Sequence, residues 1–167
     1  MVETRSDRDA QNKVWDMIRH IKVATMVTLD AQGHFRGRPM WAQQESFDTT
    51  LWFFARKDSP VVREIAADAR VLLSYAEPGK QDYVSLSGEA KSFTDPAKQK
   101  ELWSEGMRAW FPEGPEDPSL TLIAVEVAGA EYWSAPSSKM LHAYGYVKAM
   151  ATGKPPQGGE NAKVSFA

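Results

Sequence analysis

The chain contains no cysteine. That excludes disulfides and thiolate-bound metals, and it fits an intracellular location. There is no excess of basic charge. The 20 Lys and Arg stand against 22 Asp and Glu, a formal charge of -2, so nothing in the balance favours nucleic acid. No apolar run approaches the roughly 18–20 residues that cross a membrane. The opening MVETRSDRDAQ is charged and lacks the apolar stretch of a secretory signal. The expectation is a cytoplasmic protein with neither a membrane nor a nucleic-acid partner. Histidine is scarce too: His20, His34 and His142 stand far apart, none at ligand spacing from another, so no metal site is expected. Ser85 and Ser87 alternate on one segment without a Gly-x-Ser-x-Gly elbow, and no Walker or Rossmann glycine pattern occurs. The acidic residues Glu113, Glu116 and Asp117 lie in a Pro/Gly loop and read as solvated.

What is abundant is aromatic: six Trp and seven Phe in 167 residues. The length suits one domain over 1–167 with a real core, with 1–8 and about 150–167 extended or mobile. Val14, Met17, Ile18 and Ile21 recur at helical spacing and predict a helix over 8–21. Strands are predicted at 22–29, 35–45 and 50–55, joined by connections short enough for antiparallel pairing. Asp58, Ser59 and Pro60 announce a helix over about 59–68. Strands follow at 70–76 and 82–93, the latter with Gly88 where a bulge or bend is expected. Asp95 and Pro96 open a helix whose apolar face is Leu102, Trp103, Met107 and Trp110. Two last strands are predicted at 120–127 and 130–134, ahead of a Gly/Pro-rich tail. The sum is a mainly β (α+β) chain: a six- to seven-stranded antiparallel barrel with peripheral helices.

Three stretches suggest a site. In ARKDSPVVRE, Arg56 and Lys57 precede a helix start whose free N–H groups and dipole suit a phosphate. Surface charges at a helix start explain the same residues more blandly. In FRGRPMWAQQE, Arg38, Pro39 and Met40 break strand rules, because proline cannot donate to a ladder. An edge or bulged strand accounts for that, and so does a backbone turned toward a ligand. In AEYWS, Trp133 reads as core, as subunit interface or as a stacking surface.

Taken in order, VWDMIRHIKVATMVT, GRPM, LWFFARKDSPVVREI, ARVLLSYAEP, YVSLSGEAKSFTD, KELWSEGMRAWFPEGPEDPSLTLIAVEV, AEYWSAPSSKM and the GYVKAMATGKPPQGGENAKV tail resemble the FMN-binding split-barrel superfamily of pyridoxamine 5'-phosphate oxidase, and its general stress protein branch most closely. The resemblance covers about residues 10–165. It implies a split barrel that forms a homodimer with FMN at the interface. It implies that Arg38, Pro39 and Met40 follow the flavin edge, and that Phe54, Ala55, Arg56 and Ser59 hold the phosphate end. It implies that Tyr83 and Trp133 reach the site from the partner subunit. Relatives usually carry Ser-x-Lys-Val at this helix start, the lysine contacting phosphate. Here the segment is SPVV and that position is Val61. Arg56, Lys57 or Arg63 would have to substitute. The Arg-x-His-type segment of the oxidase itself is replaced by SSKM.

The resemblance thus implies an FMN-dependent oxidoreductase of the general stress type, acting on a small-molecule redox partner, with no side chain marked as a catalytic acid or base. The alternatives are a non-enzymatic flavin carrier, sensor or interaction module, a deazaflavin-dependent reductase, and pyridoxamine 5'-phosphate oxidase. FAD is a further candidate cofactor.

Overall fold

The structure, a computed structural model, describes residues 4–135, 139–153 and 159–166. After a two-residue strand β1 (Thr4–Arg5), helix α1 spans Arg8–Ile21. Its N-cap Asp7 accepts from the Ala10 N–H at 2.9 Å, one of the donors that a helix start leaves without a partner. Ala10, Val14, Met17 and Ile18 face inward, as the spacing predicts.

Six strands form the barrel: β2 (Val23–Leu29), β3 (Phe35–Trp41), β4 (Thr50–Arg56), β5 (Arg70–Glu77), β6 (Asp82–Phe93) and β7 (Leu120–Ser134). All their pairings are antiparallel, in the path β4-β7-β6-β5-β2-β3. Alternate side chains fill the interior, among them Ala24, Met26, Leu73, Tyr75, Val84 and Leu86. Helix α1 and the short helix α2 (Pro60–Ala67) close it, α2 burying Val61 and Ile65.

The barrel is split where β3 should meet β4. One bridge joins them, Ala42 to Phe53, supported by the Gln43 N–H donating to the Trp52 carbonyl at 2.9 Å. The Gln44 side chain adds bonds to Thr50 and Trp52. Beyond that clasp the two strands do not pair, and the outer edge of β3 is free of any ladder among the described residues. Pro39 therefore costs nothing: it sits on an edge strand opposite Thr25, in an unbroken register from Val23–Trp41 to Leu29–Phe35. The stretch is an edge strand and carries no bulge, and it ends at Trp41 instead of 45.

The expected bulge is at Gly88. The β6–β7 register shifts between Ser87 and Gly88, so Ala128 has no partner on β6. A Cβ at Gly88 would lie 2.1 Å from the Glu126 carbonyl oxygen, and only glycine permits that approach. The Ala-Gly step expected to separate two strands is this bulge within one continuous β7. The carbonyl of Ala128 accepts from Phe166 at 3.1 Å.

The helix expected after Asp95 is shorter than its apolar pattern. Helix α3 covers Pro96–Leu102, Trp103 turns to extended backbone, and a 3₁₀ turn resumes at Glu105–Ala109. Ser104 and Gly106 are poor interior helix residues. The break lets Phe111 and Met107 pack with Phe54 and Leu102 in a second cluster. The tail holds helix α4 (Lys139–Thr152) and strand β8 (Glu160–Ser165), which pairs with β7 and buries Ala162 and Val164. Ser137 and Pro155, with their immediate neighbours, lie outside the described residues, as does the side chain of His142.

Candidate functional site

The open seam is a cleft. A cavity of about 850 Å³ lies between the free edge of β3, the end of β4, the start of α2 and the 3₁₀ turn. That size falls in the roughly 300–1,000 Å³ range of small-molecule sites. Of the sequence-predicted residues it brings together Arg38, Pro39, Met40, Phe54, Ala55, Arg56 and Ser59. Lys57, Arg63, Tyr83 and Trp133 lie outside it. Sequence reasoning missed Val23, Arg36, Gly37, Trp41, Gln43, Glu64 and the wall formed by Met107, Trp110 and Phe111. The periodic apolar face that sequence assigned to a helix was the available signal for Met107 and Trp110. Nothing local marked Glu64.

The walls are apolar in the middle and polar at the ends. Phe54 is buried, its ring 6.0 Å from Trp103 and 6.4 Å from Phe111. Ala55, its neighbour on β4, points into the main core. Trp41 and Trp110 stand at the mouth, 52% and 61% exposed, enough to leave their faces open to a ligand.

The cations divide in a way the sequence did not reveal. Arg38 is committed inward: its guanidinium donates to Glu64 at 2.6 Å and to the Thr28 hydroxyl at 2.5 Å. Thr28 in turn donates to the same Glu64 oxygen at 2.5 Å. This closed set ties the edge strand to α2 and neutralises a carboxylate on the cleft wall. Arg63 donates to the Asp58 carbonyl at 2.6 Å and does not line the cleft. The Lys57 side chain is exposed and off the cleft. Arg56 lines the cleft, held 3.3 Å from Asp58. Arg36 lines it too, paired with Asp30 at 2.8 Å.

Ser59 occupies the N-cap of α2 but does not cap it. Its hydroxyl donates to the Arg56 carbonyl at 2.7 Å, so the helix N-terminus has no side-chain cap. Such an end suits an anion. Asp117, expected to be solvated, is buried and accepts from Ser119 and the Glu113 N–H. The Ser119 hydroxyl and N–H hold its carboxyl below the usual carboxylate range. The Ser119 carbonyl then fixes the Lys57 N–H at 2.8 Å, setting the loop after β4.

Tyr83 and Trp133 face each other across β6 and β7, both on the outer surface of the sheet. Among the described residues no group of His, Asp and Glu could hold a metal ion, and no helix is long and apolar enough to cross a membrane.

Protein bli-3 of Neurospora crassa is 26% identical over 144 residues, 80% of this chain and 69% of that protein. The structure of a general stress protein 26 from Jannaschia sp. CCS1 matches with a TM-score of 0.77 at 25% identity, covering 96% of this chain and 100% of that one. The general stress FMN/FAD binding protein of Xanthomonas citri matches at 30% identity with a TM-score of 0.68, covering 79% of this chain and 93% of that one. The family described as pyridoxamine 5'-phosphate oxidase like matches residues 9–157, and the chain belongs to that family.

Proposed function

We propose that the protein binds a flavin nucleotide, FMN in the first instance, in the cleft between β3 and β4, and serves as a flavin-dependent oxidoreductase of the general stress type. The observation that carries this reading is the meeting of three features in one cavity. They are an unpaired strand edge at Arg38–Met40, an apolar middle at Phe54 and Phe111, and an uncapped helix N-terminus beside Arg56. The edge of β3 offers N–H and C=O groups to a ring's polar rim. The helix start and Arg56 offer donors to its phosphate. The FMN/FAD binding of the Xanthomonas citri relative supports the same assignment.

A bound flavin would supply two-electron hydride chemistry. The chain's residues orient it, with Met40 and Phe54 excluding water from its middle. Glu64, held by Arg38 and Thr28, fixes α2 against the edge strand and keeps the phosphate end in place.

The site is shared by two copies in this reading. The outer face of the sheet exposes Phe35, Trp41, Leu72, Tyr83 and Trp133, more large apolar groups than one wet sheet face explains. A second copy covering it would bring Tyr83 and Trp133 toward the partner's cleft. The test is the absorption spectrum of the purified protein, with identification of what denaturation releases. A flavin spectrum and released FMN support the reading. A protein that is colourless, and stays so after incubation with FMN and gel filtration, contradicts it. Oxidation of NADH or NADPH by the loaded protein separates an enzyme from a carrier.

A further inference from the structure

Arg36 enters the cleft from the side opposite α2. Counted from the Ala42–Phe53 bridge, Arg36 on β3 and Ser59, the N-cap of α2, each lie six residues away. The bridge is antiparallel, so both counts lead toward the open end of the seam, and both residues line the one cavity. Along β3, Arg36 alternates with Arg38 and Met40. It therefore shares the strand face of Arg38, whose guanidinium reaches Glu64 on α2.

The turn between β2 and β3 holds this arginine in place. Its Nε donates to Asp30 at 2.8 Å. Asp30 is itself fixed: its carboxyl accepts from the Gln32 and His34 N–H groups at 2.9 Å each, and its side chain is 11% exposed. The two terminal nitrogens of the Arg36 guanidinium have no partner among the described residues. A brace at Nε with the rest of the fork open lowers the side-chain entropy that binding an anion would cost.

The other cations at this end are accounted for. Arg38 is bonded to Glu64 and Thr28, and Lys57 and Arg63 do not line the cavity. Arg56 remains, its Nε 3.3 Å from Asp58. A phosphate monoester carries about two negative charges at neutral pH, and one arginine beside a helix start leaves part of that charge unmatched.

We propose that Arg36 is the second phosphate-binding cation of the cleft, gripping the phosphate from β3 while Arg56 and the start of α2 grip it from the other side, so that the phosphate bridges the split in the barrel. The proposal rests on the flavin reading for the identity of that phosphate.

Fluorescence titrations with FMN and with riboflavin, which has no phosphate, test it at physiological salt. Arg36→Gln should weaken FMN by about ten- to a hundredfold, the scale of a charge-assisted bond, and leave riboflavin unchanged. Its melting temperature should stay near the native one, because an exposed ion pair contributes little to folding. Arg36→Lys, which keeps the charge and loses the fork, should fall between native and Arg36→Gln. Lys57→Gln removes the same charge just off the cleft and should weaken FMN far less, because solvent and salt screen it. An FMN affinity unchanged in Arg36→Gln, an equal loss for riboflavin, or an equal loss in Lys57→Gln would each overturn the proposal while the native titration upholds the flavin reading. A native chain that binds neither flavin would refute that reading and the proposal with it.

Discussion

Val61→Lys puts the phosphate end of the cleft to a quantitative test. Val61 is 5% exposed, belongs to the main core and also lines the cleft. A lysine there can lay its stem along the valine's apolar surroundings and bring its ammonium out into the cleft. Glu64, the nearby acceptor on the same wall, already accepts from Arg38 at 2.6 Å and from Thr28 at 2.5 Å, so it competes weakly for the new charge. A charge-assisted bond to phosphate contributes about 1.5–3 kcal/mol, which is about ten- to a hundredfold in affinity. Overpacking at a buried position costs about 1–3 kcal/mol of folding stability. Affinity and melting temperature should therefore move in opposite directions. The assay is flavin fluorescence quenching with FMN and, in parallel, riboflavin, which has no phosphate. FMN should tighten and riboflavin should not, and Val61→Met, which overpacks without adding a charge, should lower the melting temperature and leave FMN affinity unchanged. An unchanged FMN dissociation constant, or an equal gain for riboflavin, would refute the placement of the phosphate beside α2.

Four further outcomes are expected. Glu64→Gln breaks a partly buried ion pair and should lower stability by about 1–3 kcal/mol in urea unfolding, with Arg38→Met giving a similar loss and the double variant less than their sum. Gly88→Ala drives a methyl against the Glu126 carbonyl and should destabilise by about 1–3 kcal/mol or more on the same measurement. Leu72→Glu, on the outer sheet face, should give a monomer by light scattering and weaken FMN binding; a dimer of unchanged affinity would move the interface elsewhere. Asp68 is held down to about 2 by hydrogen bonds from Arg70. Its folded pKa lies below the unfolded one, so its contribution to stability is present above about pH 4 and is lost as pH falls toward 2. Asp68→Asn should flatten the stability profile in that window and lower stability at neutral pH, where the native contribution is fully present.

The parts legible in sequence were those with local causes. Helix α1 runs over the span its apolar spacing predicts, and Gly88 bends the sheet because a side chain there would collide with Glu126. Ser59 and Pro60 marked the start of α2, although the Ser59 hydroxyl turned to Arg56. What sequence could not show depends on distant partners. Pro39 admits both a bulge and an edge, and only the failure of β3 to pair with β4 decides between them. Arg38 carries no sign that Glu64, 26 residues later, will take its charge. The Gly/Pro-rich tail reads as loose, yet alternation at Ala162 and Val164 buries a strand once β7 is long enough to receive it.

The central claim is that the seam between β3 and β4 binds flavin. Titration of the purified protein into FMN, read by flavin fluorescence, tests it most directly. Saturable quenching at one FMN per chain is expected. Fluorescence that stays unchanged at micromolar protein, with the fold intact by circular dichroism, would contradict it.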